Sequence, residues 1–332
     1  MSPEINAPLN GWLLLDKATN ISSYHAIRIL KKALSTLAKS SGSKIKMGHA
    51  GTLDPFATGL LIVGIGSATK LMEYLIAADK SYLFEIKWGE ERDTLDLTGS
   101  IVSHSDTIPS YTEIQTLLPL LIGDTWQKPP LYSAIKVDGV RSYSIARQGG
   151  QLNLHDRKVS CFDIRILSHS DELARTSFYL SCSKGFYVRS LARDIAHKLR
   201  TVSHVSKLRR IRISDSLVHH AVNTTCLLDL NQPEVERLIR SRLLPIDSVL
   251  NNVRRISLSK ATMLDIQCGR KIYHKLDNLE SPRNKDLVVV YFDEEAIGLC
   301  EYLDNHLVPK KVFLKSPIHF PVSESNKIKL HK

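Results

Sequence analysis

The sequence predicts an α/β chain of two domains, a larger one mixing strands with helices and a smaller β-rich one after it. Three observations predict it. Strand-sized apolar runs alternate with helical apolar spacing up to about residue 250. Beyond that point the texture turns to short strands, and 332 residues is roughly two domains of about 150 residues each. Apolar residues at 43% and charged residues at 24% lie near the ordinary globular values of about 45% and about 25%, so disorder over the whole length is excluded.

The elements follow in order. Residues 11–16 read as a short buried strand. Ser22 or Ser23 then caps a helix whose Ile27, Leu30, Leu34 and Leu37 keep helical spacing. Residues 39–46 form a loop whose only charges are positive. Residues 48–59 are turn-rich and lead into a strand at 60–65, followed by a helix over 68–77. Tyr82, Phe84, Ile86 and Trp88 alternate with Leu83, Glu85 and Lys87, which predicts a strand with Tyr82 on its apolar face. Thr112 and Gln115 form a capping-box pattern before 117–122, the proline-rich 127–132 reads as a loop, and 143–148 reads as a short helix stopped by Gly149 and Gly150. Strands at 159–167 and 176–182 precede a helix carrying Leu191, Ile195 and Leu199. Late strands fall at 287–292 and 297–302, and the polar tail from 322 is expected to be disordered.

Several classes of protein are excluded. No apolar run approaches the roughly 18 residues needed to cross a bilayer, and the N-terminus lacks the basic stretch of a secretory signal. The five cysteines stand at least 21 residues apart with no CxxC, so neither a disulfide framework nor a zinc ribbon is supported and a reducing cytoplasm is expected. His219-His220 lacks metal-ligand spacing, and Gly64-Ile-Gly66 lacks the third glycine of a dinucleotide site, so close packing at a strand end is expected there. The net charge is 45 − 34 = +11, which suits a polyanionic partner. Residues 184–212 concentrate it, with nine Lys or Arg against Asp194 alone. Such a stripe, including Arg209, Arg210 and Arg212, would contact phosphates; a solvated helix face is the plainer alternative.

The chemistry concentrates in Gly48-His-Ala-Gly-Thr-Leu-Asp-Pro-Phe-Ala-Thr-Gly59. Asp54 is its only carboxylate, and the proline after it pushes it toward extended backbone, which fixes the direction of the side chain. By itself such an aspartate could also serve as an Asx-turn.

With further segments in order, this loop resembles the bacterial tRNA pseudouridine synthases that act on uridine 55, the TruB family. They are Gly11-Trp-Leu-Leu-Leu-Asp-Lys17, Gly66-Ser-Ala-Thr-Lys70, Lys80-Ser-Tyr82, Asp93-Thr-Leu-Asp96, Gln127-Lys-Pro-Pro-Leu-Tyr-Ser-Ala134, Ala146-Arg-Gln-Gly149 and Cys182-Ser-Lys-Gly-Phe-Tyr-Val-Arg189. The resemblance implies a pseudouridine-synthase fold with a mixed, largely antiparallel central sheet over residues 1–252. Residues 253–332, which include the segments Ile256-Ser-Leu-Ser259 and Cys268-Gly-Arg-Lys-Ile272, are expected to form a small PUA-like β-barrel that contacts RNA, with a basic tail.

The resemblance also implies roles. Asp54 is the catalytic carboxylate, His49 helps hold the flipped nucleotide, and Tyr82 stacks on the target base. Arg189 pairs with Asp54, Tyr187 and Leu208 line the uridine pocket, and Lys17 supports the active-site loop without reacting. Pseudouridine is an isomer of uridine, so the reaction calls for no redox partner, nucleotide, cofactor or metal. The N1–C1′ bond breaks, the base turns, and a C5–C1′ bond forms, with the carboxylate attacking either C1′ or C6. The implied partner is tRNA, through its T-arm and acceptor stem, with no membrane and no obligate protein partner. An RNA-binding protein of the same fold without turnover, or a synthase for another RNA, are the alternatives. The chain departs from the family pattern in reading Lys17-Ala-Thr-Asn20 where Lys-Pro-x-Gly is usual, with Asn20 able to take the left-handed turn. Arg92 and Phe186 stand for threonines and Ala196 for a glycine.

Overall fold

The fold is described from a computed structural model, which covers residues 9–35, 44–137, 139–150, 152–251, 253–274 and 285–313. The tail from 322 and residues 39–43 of the cationic loop lie outside the described residues. The chain divides into two compact units, Met1–Leu250 and Asn251–Lys332.

The first unit carries β1 (Gly11–Lys17), β2 (Met47–Ala50), β3 (Thr58–Ile65), β4 (Lys80–Trp88), β5 (Glu90–Arg92), β6 (Ile101–His104) and β7 (Gly123–Gln127). It continues with β8 (Lys136–Val137), β9 (Val140–Arg141), β10 (Arg157–Ser170), β11 (Arg175–Cys182), β12 (Ser203–Ile213), β13 (Ser216–Leu217) and β14 (Val222–Asn223). Ten of these build one sheet in the order β14-β1-β3-β12-β4-β11-β10-β7, with β2 also on β3 and β13 on β12. Pairing is parallel between β1 and β14 and between β3 and β12, and antiparallel at the other junctions. The sheet is therefore mixed and largely antiparallel, as the resemblance implies.

Its two sides are explained by alternation. On β4, Tyr82, Phe84, Ile86 and Trp88 are buried, and the residues between them are half-buried. Phe84 stacks on Phe178 of β11 with ring centroids 5.1 Å apart. The helix Val188–Lys198 lays Leu191, Ala192, Ile195 and Ala196 on this face, where a fully buried large apolar side chain contributes roughly 1.5–3 kcal/mol. At the other end Leu13 and Leu15 of β1 pack with Ala26, Ile27 and Leu30 of the helix Ser23–Ala33. Ser22 caps that helix by accepting from the His25 amide, and Asn20 takes φ +61° in the turn before it. Gly64 is packed close: a Cβ there would lie 2.7 Å from Met72 and 2.9 Å from Trp12.

Three expectations need correction. The capping box belongs to Ser110 and Glu113, not Thr112 and Gln115, because the Ser110 hydroxyl accepts from the Glu113 amide and the helix Tyr111–Leu117 already contains both other residues. The segment expected to be helical at 117–122 is mostly a 3₁₀ turn, Leu118–Leu121, with Pro119 at its start. The first half of the expected helix 68–77 is likewise 3₁₀, Gly66–Leu71, its Thr69 hydroxyl bonding to the Gly66 carbonyl at 2.7 Å, and the α-helix covers Met72–Ala77.

The second unit has β15 (Arg254–Ser257), β16 (Ile272–Tyr273), β17 (Leu287–Phe292), β18 (Glu295–Leu303) and β19 (His306–Val312), paired as β15-β17-β18-β19-β16. Met263 and Ile266 of the helix Lys260–Gln267 pack with Val288, Val290 and Ile297. This is the PUA-like sheet in half-barrel form, with no pairing between β15 and β16 among the described residues.

Candidate active site

Loop 51–57, between β2 and β3, carries Asp54. Three neighbours hold the loop. The Ser23 hydroxyl bridges the backbone of Leu53, accepting from its amide at 2.8 Å and donating to its carbonyl at 3.0 Å. Thr19 donates to the Phe56 carbonyl at 3.0 Å. The Lys17 ammonium, fully buried, donates to the carbonyls of Ile21 (2.7 Å), Ala18 (2.9 Å) and Pro55 (3.1 Å). Burial pushes Lys17 down to about 8. Gly59 ends the turn at φ +102°, where a Cβ would collide with the Arg210 carbonyl at 2.2 Å.

Arg189, in the first turn of the helix Val188–Lys198, grips Asp54 with two parallel bonds, Nε to Oδ2 at 2.9 Å and Nη2 to Oδ1 at 3.0 Å. Such a fork fixes the carboxylate in orientation as well as charge. The guanidinium is itself pinned by the carbonyls of Thr94 (2.7 Å) and Tyr132 (2.9 Å) and by the Asp96 carboxylate (3.2 Å). Burial pushes the Asp54 carboxyl above its ordinary value, Arg189 pulls it down, and Asp96 pushes it up again. The Asp54 side chain keeps 31% of its surface exposed, against 3% for Arg189. The open side of the pair is thus the carboxylate.

Asp54 lies on the wall of a pocket of about 300 Å³ that Tyr82, Tyr187, Arg189 and Leu208 also line. Burial raises the Tyr82 phenol to about 12, so it is protonated at neutral pH. Tyr187 is fixed by Gln127, which accepts from its amide at 2.8 Å and donates to its carbonyl at 3.0 Å, and Arg157 lies over its ring at 5.6 Å. Burial raises the Tyr187 phenol too. His49 lines an adjoining depression of about 560 Å³ that meets the first at Asp54 and Arg189. Its Nδ1 is buried without a hydrogen-bond partner, and burial, with Arg210 nearby, pushes the imidazole down, leaving it neutral at pH 7. Lys17 lines neither space; it holds the loop through the Pro55 carbonyl, and its charge also favours the ionised Asp54 carboxyl.

The pocket holds residues the motifs alone left without a role. Lys80 and Arg210 line it beside Tyr82, at 7% and 1% exposure. Burial, with Arg210 adding to it, brings Lys80 down to about 8. The period of two in β12 was the available signal for Arg210, since it places Leu208 and Arg210 on one face. Three arginines of the basic stripe, Arg209, Arg210 and Arg212, find partners within the protein. Arg209 is paired with Asp16 through two bonds of 2.7 and 2.9 Å, Arg210 is buried, and Arg212 donates to Ser81, Ser181 and the Ser214 carbonyl at 3.0–3.2 Å. These cations sit in the central strand β12, where internal acceptors satisfy them. Among the described residues no cluster of metal-ligating side chains occurs, and no helix is long and apolar enough to cross a membrane.

Comparison with known proteins gives the family of the chain. Residues 38–188 match the TruB family pseudouridylate synthase N-terminal domain, and residues 189–251 match the tRNA pseudouridylate synthase B C-terminal domain. The chain is 37% identical over 305 residues to tRNA pseudouridine synthase B of Ehrlichia canis (strain Jake), covering 91% of this chain and 97% of that protein. It is 35% identical over 310 residues to the protein of that name from Caulobacter vibrioides, covering 92% and 96%. Among solved structures, a chain of a Cbf5-Nop10-Gar1 complex superposes with a TM-score of 0.66 at 20% identity, covering 92% of this chain and 85% of that one. The chain is an isomerase of the pseudouridylate synthase class. It belongs to the TruB family.

Proposed function

We propose that the protein converts uridine 55 in the T-loop of tRNA to pseudouridine in the cytoplasm, with Asp54 as the covalent catalyst. The observation that carries this reading is the bidentate Asp54–Arg189 pair opening onto the pocket lined by Tyr82. A carboxylate held by a fork is aimed and kept from rotating, and its exposed side meets whatever enters. The target uridine is stacked within its RNA loop, so it is extruded before reaction. Tyr82 then stacks on the uracil, with its hydroxyl toward the C5 proton that must leave. Tyr187 and Leu208 close the pocket round the base, His49 holds the extruded nucleotide, and Lys17 keeps the loop in register. Asp54 attacks either C1′ or C6. The reaction redistributes bonds within one substrate, so these side chains suffice without a cofactor. Residues 1–252 carry the catalysis, and the PUA-like residues 253–332 meet the acceptor stem.

The test is mass-spectrometric mapping of pseudouridine in unmodified tRNA incubated with the pure protein. Pseudouridine at position 55 of the T-loop with the native protein, and none with Asp54→Asn although tRNA still binds, is the expected result. Modification confined to another position would overturn the choice of uridine, and turnover by Asp54→Asn would overturn the role of the carboxylate.

A further inference from the structure

Two buried cations line the candidate pocket without a counter-charge. Lys80 and Arg210 keep 7% and 1% of their surface exposed, against 31% for the Asp54 side chain, so they lie deeper in the pocket than the carboxylate. Lys80 stands two residues before Tyr82 on β4, hence on the same face of the strand. Arg210 is the cross-strand partner of Tyr82 on β12. The two cations converge on Gly51, where a Cβ would lie 3.5 Å from Arg210 Nη1 and 3.7 Å from Lys80 Cε. Each has a donor to spare. The Lys80 ammonium, with three protons, donates to the carbonyls of Ile76 and Ala78. Arg210 donates through Nε to the Leu60 carbonyl at 2.8 Å and through Nη2 to the Gly51 carbonyl at 2.9 Å, and Nη1 is left over. Among the described residues no carboxylate bonds to either side chain. A buried charge in that state is costly unless a ligand supplies its partner.

We propose that Lys80 and Arg210 bind a carbonyl oxygen of the uracil and stabilise the negative charge that the ring takes up when Asp54 attacks. This rests on the reading of Asp54 and Tyr82 given under Proposed function, since a ring stacked on Tyr82 is bordered by the two residues beside it. The charge arises by either route. Attack on C1′ forms the C1′–O bond and breaks C1′–N1, and the departing pair spreads over N1 and the oxygens O2 and O4. Attack on C6 forms the C6–O bond and drives the C5–C6 pair through C4 onto O4. Either way Asp54 gives up its negative charge and the uracil carries it until the carboxylate is released. Donors already fixed in a buried site stabilise such a charge without reorganising. The depth of the two cations selects the base over a backbone phosphate, which stays with the RNA chain outside the pocket.

The experiment is a cycle between side chain and substrate atom. tRNA is assembled with uridine, 2-thiouridine or 4-thiouridine at position 55, and single-turnover isomerisation is followed by chromatography of the nucleosides. Lys80→Met keeps the length of the side chain and loses its charge. On uridine it should slow isomerisation by roughly a hundredfold, the cost of one such donor, while the tRNA Kd stays within about threefold. Sulfur accepts hydrogen bonds poorly, so on one of the two thio substrates the same substitution should slow isomerisation by less than about tenfold. Arg210→Lys, which keeps the charge but moves the donors, should follow the same pattern on the same thio substrate. Should Lys80→Met fail to fold, Lys80→Gln takes its place. Equal slowing on all three substrates would overturn the proposal, as would an unchanged rate on uridine. A loss of affinity that accounts for the loss of rate would overturn it too, by pointing to a phosphate. Failure of the native protein to isomerise uridine 55, or turnover by Asp54→Asn, would instead overturn the reading on which the proposal rests.

Discussion

Asp54 and Arg189 show how little freedom the candidate site leaves its charges. Arg189 makes bonds to Asp54, Asp96 and two carbonyls, so Arg189→Lys keeps the charge but can satisfy only part of that set. It should lower the single-turnover rate by a factor of roughly a hundred while tRNA affinity changes by less than about threefold. An effect confined to affinity would show that Arg189 holds RNA. Lys80 makes a separate prediction about stability. Its pKa falls from 10.5 to about 8 in the folded protein, so between those values the unfolded chain binds more protons than the folded one. Stability therefore gains from this group as pH rises from about 8 to 10.5. Lys80→Met removes the penalty of the buried charge at low pH. Its melting-temperature advantage over the native protein should accordingly shrink across that window, and an advantage that grows would reverse the sign of the argument.

At the scale of elements, the catalytic loop depends on a single hydroxyl. Ser23 satisfies both backbone groups of Leu53 from the first turn of its helix, and leaving a buried backbone group unpaired costs about 1–3 kcal/mol. Ser23→Ala should lower stability by about that amount, measured by urea unfolding, and should slow turnover although residue 23 does not line the pocket beside Tyr82. Unchanged unfolding would show that water replaces the hydroxyl. How legible such elements are in sequence depends on which force selects them. β4 could be read because the alternation of Tyr82, Phe84, Ile86 and Trp88 is the burial pattern itself. The Asp54 loop was legible through its resemblance to a known family, since a lone carboxylate before a proline could by itself have served as an Asx-turn. β12 was not: its Lys207, Arg209, Arg210 and Arg212 suggest solvent, yet the strand lies between β3 and β4. Their partners, Asp16, Glu85, Ser81 and the Leu60 carbonyl, are at least 122 residues away in sequence. No local pattern encodes a counter-charge that distant. Asp96 escaped for the same reason, since its partner Arg189 comes from another element.

For the whole molecule, the question is which of its positive charges are available to a polyanion. The formal charge is +11, but charge satisfied internally cannot release counterions from RNA. Arg209 is committed to Asp16, and Arg212 to Ser81, Ser181 and Ser214, whereas Lys184, Lys198 and Arg200 of the same stretch are exposed. Two triple or double variants separate these groups. Replacing Lys184, Lys198 and Arg200 by glutamine should leave the melting temperature nearly unchanged. Each of the three that meets a phosphate should make the slope of log Kd for tRNA against log salt shallower by about 0.7–0.9. Arg209→Gln with Arg212→Gln should do the reverse, lowering the melting temperature because Asp16 and the serines lose their partners, and leaving the salt slope where it was. The comparison is made on tRNAs of different sequence, since phosphate contacts carry no base identity and the losses should be alike on all of them. If the Arg209 and Arg212 pair changed the slope while the exposed trio did not, these ion pairs would have to open when RNA binds, and the sheet face that carries β12 would itself be part of the RNA surface.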